Sequence, residues 1–247
     1  MRLKDKVALI TGAASGMGLA IARKFVAEGA KVALNDCRKE ALEEAVSSFS
    51  EGGKDVLAVF ADVSNSAEVD RAVDLVLERY GRLDILVNNA GILRFQRIVD
   101  LTDEMWQRVI DVNLTGAFYC TRAALDKAML KQRRGKIIYI ASVSPYVGGP
   151  MVAPYAASKG GIIGLMRAVA KEVAHAGITA NAIAPGYMVT GMTRSVYRGT
   201  LQRRLEENIA LGRLGRPEDV TGAATFLASD ESDYMTAHVM LVDGGSI

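Results

Sequence analysis

Cysteine, histidine and tryptophan are scarce: the 247 residues hold two cysteines, two histidines and one tryptophan. Cys37 and Cys120 form no CxxC pair, and His175 and His238 stand alone. A metal cluster, a disulfide framework and a histidine-centred triad are therefore not expected. No apolar run reaches the ~18 residues needed to cross a bilayer, and no secretory apolar segment follows Met1-Arg2-Leu3-Lys4-Asp5-Lys6. A cytoplasmic setting is the expectation. An excess of one charge is also missing, since 30 basic and 28 acidic residues leave a net +2. Neither nucleic acid nor a membrane is thus an expected partner. The short basic cluster Lys131, Arg133, Arg134 and Lys136 reads as the end of a helix complementing its dipole. Linkers, repeats and low-complexity tracts are lacking too, so residues 1–247 read as one domain.

Half of the residues are hydrophobic, and they fall in short runs separated by helical patterns. Strands are expected at Val7–Ile10, Val32–Leu34, Val56–Phe60, Ile85–Val87, Ile137–Ile140, Thr179–Ile183 and Val239–Val242. Several are apolar on successive residues, as strands covered on both faces must be. Helices are expected at Leu19–Glu28, Lys39–Phe49, Glu68–Arg79, Glu104–Lys131, Tyr155–His175 and Pro217–Leu227. The repeated alternation points to an α/β fold: a single-domain, Rossmann-like, doubly wound parallel sheet of about seven strands with helices on both faces. The one long interruption, residues 186–211 with a short helix near Leu201–Leu211, reads as a substrate loop. The segment from Tyr155 is apolar nearly all round, with only Lys159 and Arg167 charged up to Ala170. It lies either in the middle of the fold or against another subunit.

The first strand runs into Thr11-Gly12-Ala13-Ala14-Ser15-Gly16-Met17-Gly18 and then a helix. The pattern is GxxxGxG, not GxGxxG. Glycines still allow a tight turn, and a helix N-terminus still presents free N–H groups to a pyrophosphate. An ordinary glycine-rich turn has the same letters. The second strand ends at Asp36, near the spacing of an acid that holds a ribose diol. A carboxylate there repels a 2′-phosphate and favours NAD, while Arg38 could swing towards that phosphate or remain solvated.

Tyr155 and Lys159 are four residues apart, on one face of a helix. A positive charge ~4 Å from the phenol, at an effective dielectric of ~20, is worth up to ~4 kcal/mol of phenolate stabilisation. That makes a workable acid/base, although the pair alone is common on helices.

Together these residues make the chain resemble the short-chain dehydrogenase/reductase family, of the short cytosolic type, over about residues 5–245. The markers are the glycine turn, Asp62-Val63, Asn88-Asn89-Ala90-Gly91, Asn113, Ser142, Tyr155-x-x-x-Lys159, Pro185-Gly186 and Asp243-Gly244-Gly245. The resemblance implies that Tyr155 is the general acid/base and that Lys159 lowers its pKa and holds the nicotinamide ribose. It implies that Ser142 bonds the substrate oxygen and that Asn113 holds a relay water. Ser144 and Tyr146 are rivals by residue type, but Ser142 has the matching spacing and Tyr146 has no lysine at +4. For the cofactor it implies Gly12, Ser15, Gly16, Met17 and Gly18 at the pyrophosphate and Asp36 at the adenosine ribose. Asp62 and Val63 would meet the adenine, and Asn89, Ala90 and Gly91 would line the cleft. Pro185, Gly186, Met188 and Thr190 would close on the nicotinamide. Cys37 would be a bystander in the adenosine pocket wall.

The expected function is interconversion of a secondary alcohol and a ketone with NAD, or NADH in the reductive direction, with NADP the lesser cofactor. Leu93, Arg94, Phe95, the segment 143–147, Tyr187, Met188, Met192 and Tyr197 are candidate pocket walls. The chain is also similar to 3-oxoacyl-acyl-carrier-protein reductases. Against that alternative stand Asp36, which disfavours NADPH, and Ala176 at one of two positions expected to be basic, the other being Arg133. A sugar or polyol dehydrogenase is a further possibility. A reading from another class is a non-catalytic NAD(H)-sensing protein, which would have no need of the Asn113, Ser142, Tyr155, Lys159 set. A homotetramer is implied, with the helix from Tyr155 and the one ending near Lys131 at its interface.

Overall fold

The computed structural model describes residues 1–50 and 56–247. Seven strands form one fully parallel sheet: β1 (Val7–Thr11), β2 (Lys31–Asp36), β3 (Leu57–Phe60), β4 (Ile85–Asn88), β5 (Gly135–Ile140), β6 (Ile178–Pro185) and β7 (Val239–Val242). Their order is β3-β2-β1-β4-β5-β6-β7. The chain winds outward from β1 through β2 to β3, then returns to place β4 on the other side of β1. Loops therefore diverge above the β1–β4 boundary, where open sheets of this kind form a crevice.

Both sides of the sheet are covered, and β1 shows why its residues are apolar in succession. Val7 and Leu9 face a core with Val73, Val76, Ile162 and Met166, while Ala8 and Ile10 face one with Ile21, Phe25, Leu42 and Leu227. The second core is roofed by α1 (Gly16–Ala27), α2 (Lys39–Ser50) and, further on, α10 (Thr221–Ala228). The first is roofed by α3 (Ser66–Tyr80) and by the helices that follow β4 and β5. α3 is well terminated: Asn65 Oδ1 accepts the N–H groups of Ala67 and Glu68, and Gly81 closes the far end at φ 74°.

The expected helix Glu104–Lys131 is a continuous run over 103–132 with two wide turns. Its parts are α4 (Asp103–Ile110), a π turn at Asp111–Thr115, α5 (Gly116–Ala124), a second π turn at Leu125–Met129, and α6 (Leu130–Gln132). A short helix that the sequence did not suggest, α7 (Ser144–Val147), follows Ser142. Next comes α8 (Ala153–Val173), with Pro154 in its first turn. It is covered on two sides, by β6 and by the first π turn, and a Cβ on Gly161 would lie 2.7 Å from Leu114. The helix expected at Leu201–Leu211 is α9, found earlier at Gly199–Glu207. That expected at Pro217–Leu227 begins as a 3₁₀ turn, Pro217–Val220, before α10.

Among the described residues no helix is long and apolar enough to cross a membrane, and no group of three or more His, Cys, Asp or Glu side chains could hold a metal.

Candidate active site

A cleft of about 500 Å³ opens beyond the C-terminal ends of β1, β2 and β4. Its floor is the β1–α1 turn, with Gly12, Ser15, Gly16 and Met17. Asp36, Cys37 and Arg38 form one wall with Asp62 and Val63; Asn89, Ala90 and Gly91 lie at the centre; and Thr190 faces them from the loop after β6. The structure thus brings these sequence-nominated residues around one space.

Four nominated residues lie elsewhere. Gly18 is packed under the turn, where a Cβ would stand 2.4 Å from Gly12 O and 2.5 Å from Asn89 Nδ2. Its role is close approach of helix to strand, not lining. Pro185 ends β6 and is buried. Gly186 lies against Asp243, with room for no side chain. Met188 points away, into a slot left by Gly215, where it is 6% exposed. Asn89 lines the cleft, but its side chain is a brace: Nδ2 donates to Thr11 O at 2.8 Å and to Gly12 O at 3.1 Å. Thr11 Oγ1 completes the brace by accepting the N–H groups of Asn89 and Ala90, each at 3.0 Å.

Asp36 is nearly buried, and its carboxylate is fully occupied. Oδ2 accepts the Ala14 N–H at 3.2 Å, while Arg38 caps both oxygens through Nε and Nη2 at 3.0 and 3.1 Å. Arg38 also donates to Ser15 Oγ at 3.0 Å, so it bridges two walls of the cleft. The hydrogen bonds to Asp36 raise the guanidinium pKa against the opposing effect of burial. Asp62 is similarly held by Ser64 and by Arg108 Nη2 at 3.1 Å. Burial works to raise its pKa, but these bonds outweigh it and the carboxyl titrates below its ordinary range.

Beside the cleft, at the end of β5 and the start of α8, stand Ser142, Tyr155 and Lys159. They adjoin it through Gly91, where a Cβ would lie 3.6 Å from Lys159 Nζ and 3.3 Å from Asn113 Oδ1. Lys159 Nζ donates to Ile140 O at 2.7 Å and sits 5.6 Å from the Tyr155 ring centroid. Burial of the ammonium pulls its pKa from the ordinary 10.5 down to about 8. The sequence-based expectation for Tyr155 needs correction. Although part of the ring stays open to solvent, the packing around it pushes the phenol pKa up, and a hydrogen bond with Ser142 offsets only part of that rise. Burial is the larger of these two effects and sets the direction. Ser142 Oγ donates to Ser144 Oγ at 3.0 Å and accepts the Ser144 N–H at 3.1 Å, so the two serines cooperate. Tyr146 is half exposed on α7.

The side chain of Asn113 is engaged within the protein. It lies, fully buried, in the first π turn. Its amide donates to Ile92 O and to Ser158 Oγ, both at 3.0 Å, and Oδ1 accepts the Ile92 N–H at 2.8 Å. Both donors are therefore committed to clamping the loop after β4 to α8.

Sequence reasoning missed Arg108, Ile92, Val112 and Gly191, all of which line the cleft; Met192, nominated as a substrate-pocket wall, lines it too. Arg108 had no legible signal, because it arrives from α4, 46 residues beyond the Asp62 it holds. Gly191 stands between the nominated Thr190 and Met192, and that was the available clue.

These residues suit a dinucleotide. The N-terminus of α1 opens on the cleft with no side-chain cap from Ser15. Gly16, at φ +56°, has only Thr190 side-chain carbons, at 3.8 and 3.9 Å, near the place of a Cβ. The turn can thus admit a pyrophosphate between itself and Thr190. Fold and site together define a nicotinamide-cofactor oxidoreductase of the doubly wound type.

A family model described as "Enoyl-(Acyl carrier protein) reductase" matches residues 12–246. The chain belongs to the short-chain dehydrogenase/reductase family. It is 42% identical to a 3-oxoacyl-[acyl-carrier-protein] reductase of Synechocystis sp., with 99% of this chain and 98% of the relative covered. It is 40% identical to subunit BbsD of the (2S)-[(R)-hydroxy(phenyl)methyl]succinyl-CoA dehydrogenase of Thauera aromatica, covering 99% and 98%. The crystal structure of levodione reductase superposes with a TM-score of 0.94 at 35% identity, covering 99% and 98%. The protein is thus an oxidoreductase, which sets aside the non-catalytic sensing alternative. These likenesses favour the 3-oxoacyl-acyl-carrier-protein reductase alternative over a general secondary-alcohol dehydrogenase.

Proposed function

We propose that the protein interconverts a 3-oxoacyl and a 3-hydroxyacyl thioester with NAD(H), using Tyr155 as the acid/base. The observation that carries this reading is the grouping of Ser142, Tyr155 and Lys159 beside a cleft that suits a dinucleotide. The thioester is supported by two relatives whose names specify acyl thioesters, one on a carrier protein and one on coenzyme A. When bound, the nicotinamide supplies or accepts the hydride.

The protein's own part is the proton. With its pKa raised by burial, Tyr155 is a protonated phenol at neutral pH and is poised to donate to a ketone oxygen. Ser142 hydrogen-bonds that phenol and can hold the same oxygen. Lys159, a cation below about pH 8, would favour the tyrosinate left after donation. Gly12, Ser15, Gly16, Met17 and Thr190 would hold the pyrophosphate, and Asp62 and Val63 the adenine. Asp36 is the support for NAD: with the Arg38 side chain turned aside, a carboxylate at the end of β2 accepts from a ribose diol and repels a 2′-phosphate. We infer a single catalytic domain and a cytoplasmic homotetramer; the half-exposed Trp106 and Phe118 give the long helix an apolar surface for such contacts.

The test is NADH absorbance with a 3-oxoacyl thioester, repeated with NADPH and with Tyr155→Phe. Turnover with NADH that the variant loses supports the proposal. NADPH as the better donor overturns the cofactor assignment. Equal turnover by the variant overturns the role of Tyr155.

A further inference from the structure

Arg2, Arg38, Arg82, Arg97, Arg108, Arg134 and Arg213 each meet a carboxylate. Among the described residues the guanidinium groups of Arg94, Arg194, Arg203 and Arg204, all exposed, have no partner; Arg71, Arg167 and Arg216 share that state but lie on other segments. The first four come from the two segments that border the catalytic group. Arg94 lies two residues beyond Ile92, a cleft residue clamped by Asn113. Arg194 lies two residues beyond Met192, another cleft residue. Arg203 and Arg204 stand about one helical turn into α9, which follows Tyr197. Tyr197 packs edge-on to Tyr187 with centroids 6.2 Å apart, and it lies close enough to Tyr155 to affect its own titration. No Asp or Glu occurs between Glu172 and Glu206. The segment over the substrate side of the site therefore carries positive charge without a counter-charge until the last residues of α9.

Unpaired guanidinium groups at the mouth of a site match phosphate oxygens, which they grip in a planar, two-pronged manner. A free coenzyme A thioester carries a pyrophosphate and a 3′-phosphate at the end of its pantetheine arm. A carrier-protein thioester carries a single phosphodiester there. We infer that Arg94, Arg194, Arg203 and Arg204 form a phosphate-binding rim, and that the protein takes its acyl group from a free nucleotide thioester of the coenzyme A type. This rests on the thioester reading above and names the carrier. Reduction remains a simple balance: the ketone carbon gains hydride, its oxygen gains the proton of Tyr155, and the thioester bond is untouched.

The experiment compares acetoacetyl-coenzyme A, the acetoacetyl thioester of N-acetylcysteamine, which has no phosphate, and acetoacetyl-acyl-carrier protein. They are tested with the wild type, the double variant Arg194→Gln/Arg203→Gln and the single variant Arg94→Gln, each at low and high salt. The ratio of kcat/KM for the coenzyme A thioester over the phosphate-free one is expected to fall about tenfold in the double variant, through KM, and to fall with salt in the wild type. An unchanged ratio overturns the rim. So does a loss confined to the carrier-protein thioester, which would make the arginines a docking surface for an acidic protein. If none of the three thioesters turns over in the wild type while a simple alcohol does, the thioester reading itself falls, and the rim with it.

Discussion

Replacing Lys159 with methionine is expected to stabilise the fold while abolishing turnover. Lys159 is 3% exposed, and burial alone pulls its pKa from 10.5 to about 8. At about 1.4 kcal/mol per pH unit, holding the charge in the folded state costs about 3 kcal/mol near neutrality. Methionine fills similar space with no charge. The variant does lose the bond to Ile140 O, which is 2.7 Å long in the wild type, at a cost of about 1 kcal/mol. The net gain is about 2 kcal/mol, or roughly 4–8 °C in Tm for a chain of this size. The pH dependence provides an internal control. Between about pH 8 and 10.5 the unfolded lysine is protonated and the folded one is not, so wild-type stability rises with pH across that window. The advantage of the variant is therefore full below about pH 8 and has nearly gone by pH 10. Thermal melts of both proteins at pH 7 and pH 10, without cofactor, measure it. A variant that melts lower at pH 7, or a gap of the same size at both values, would refute buried charge as the cause.

Three further outcomes are expected. Arg38→Ala uncovers the Asp36 carboxylate by removing its bonds through Nε and Nη2. Discrimination against NADP should sharpen by about tenfold, read as the ratio of kcat/KM values for the two cofactors; a weaker preference for NAD would contradict the geometry. Asn113→Ala strips Ile92 of both backbone bonds and Ser158 of a donor, costing about 2–4 kcal/mol in urea unfolding. A loss under about 1 kcal/mol would mean that the clamp is dispensable. Gly18→Ala sets a methyl 2.4 Å from Gly12 O and should cut kcat/KM for the cofactor by more than about tenfold. Gly16→Ala, where the nearest atom is 3.8 Å away, should lose less; the reverse order would place the phosphate turn differently.

All seven strands were legible, because parallel strands between two helical layers need apolar residues in succession, as in Ala8-Leu9-Ile10. The glycine turn, Asp36 and the Asn89-Ala90-Gly91 segment were legible for a related reason. Each follows directly on a strand, and strand ends meet at the crevice. What escaped depended on distant partners. The family resemblance aims Met188 at the cofactor, but Gly215, far along the chain, leaves a slot that takes its side chain. Arg108 reaches the cleft only because α4 crosses above Asp62. The direction of the Tyr155 shift depends on how closely the ring is packed, which residue spacing does not encode.

The two π turns in the run 103–132 set a rhythm that an α-helix cannot keep. Val109, Asn113, Ala117, Thr121, Leu125 and Met129 recur every four residues on the inward side. In a regular α-helix a repeat of four advances about 40° per step, so five steps would carry the stripe about 200° round and leave Met129 facing outward. Each π turn takes in one extra residue, worth about 100°, and two of them cancel the drift. The run is thus phase-corrected. Relaxing Asp111–Thr115 to ordinary α geometry with all five residues kept would rotate one part of the run by about 100° relative to the other. Asn113 and Thr121 could then no longer serve Ile92 and Asn88 at once.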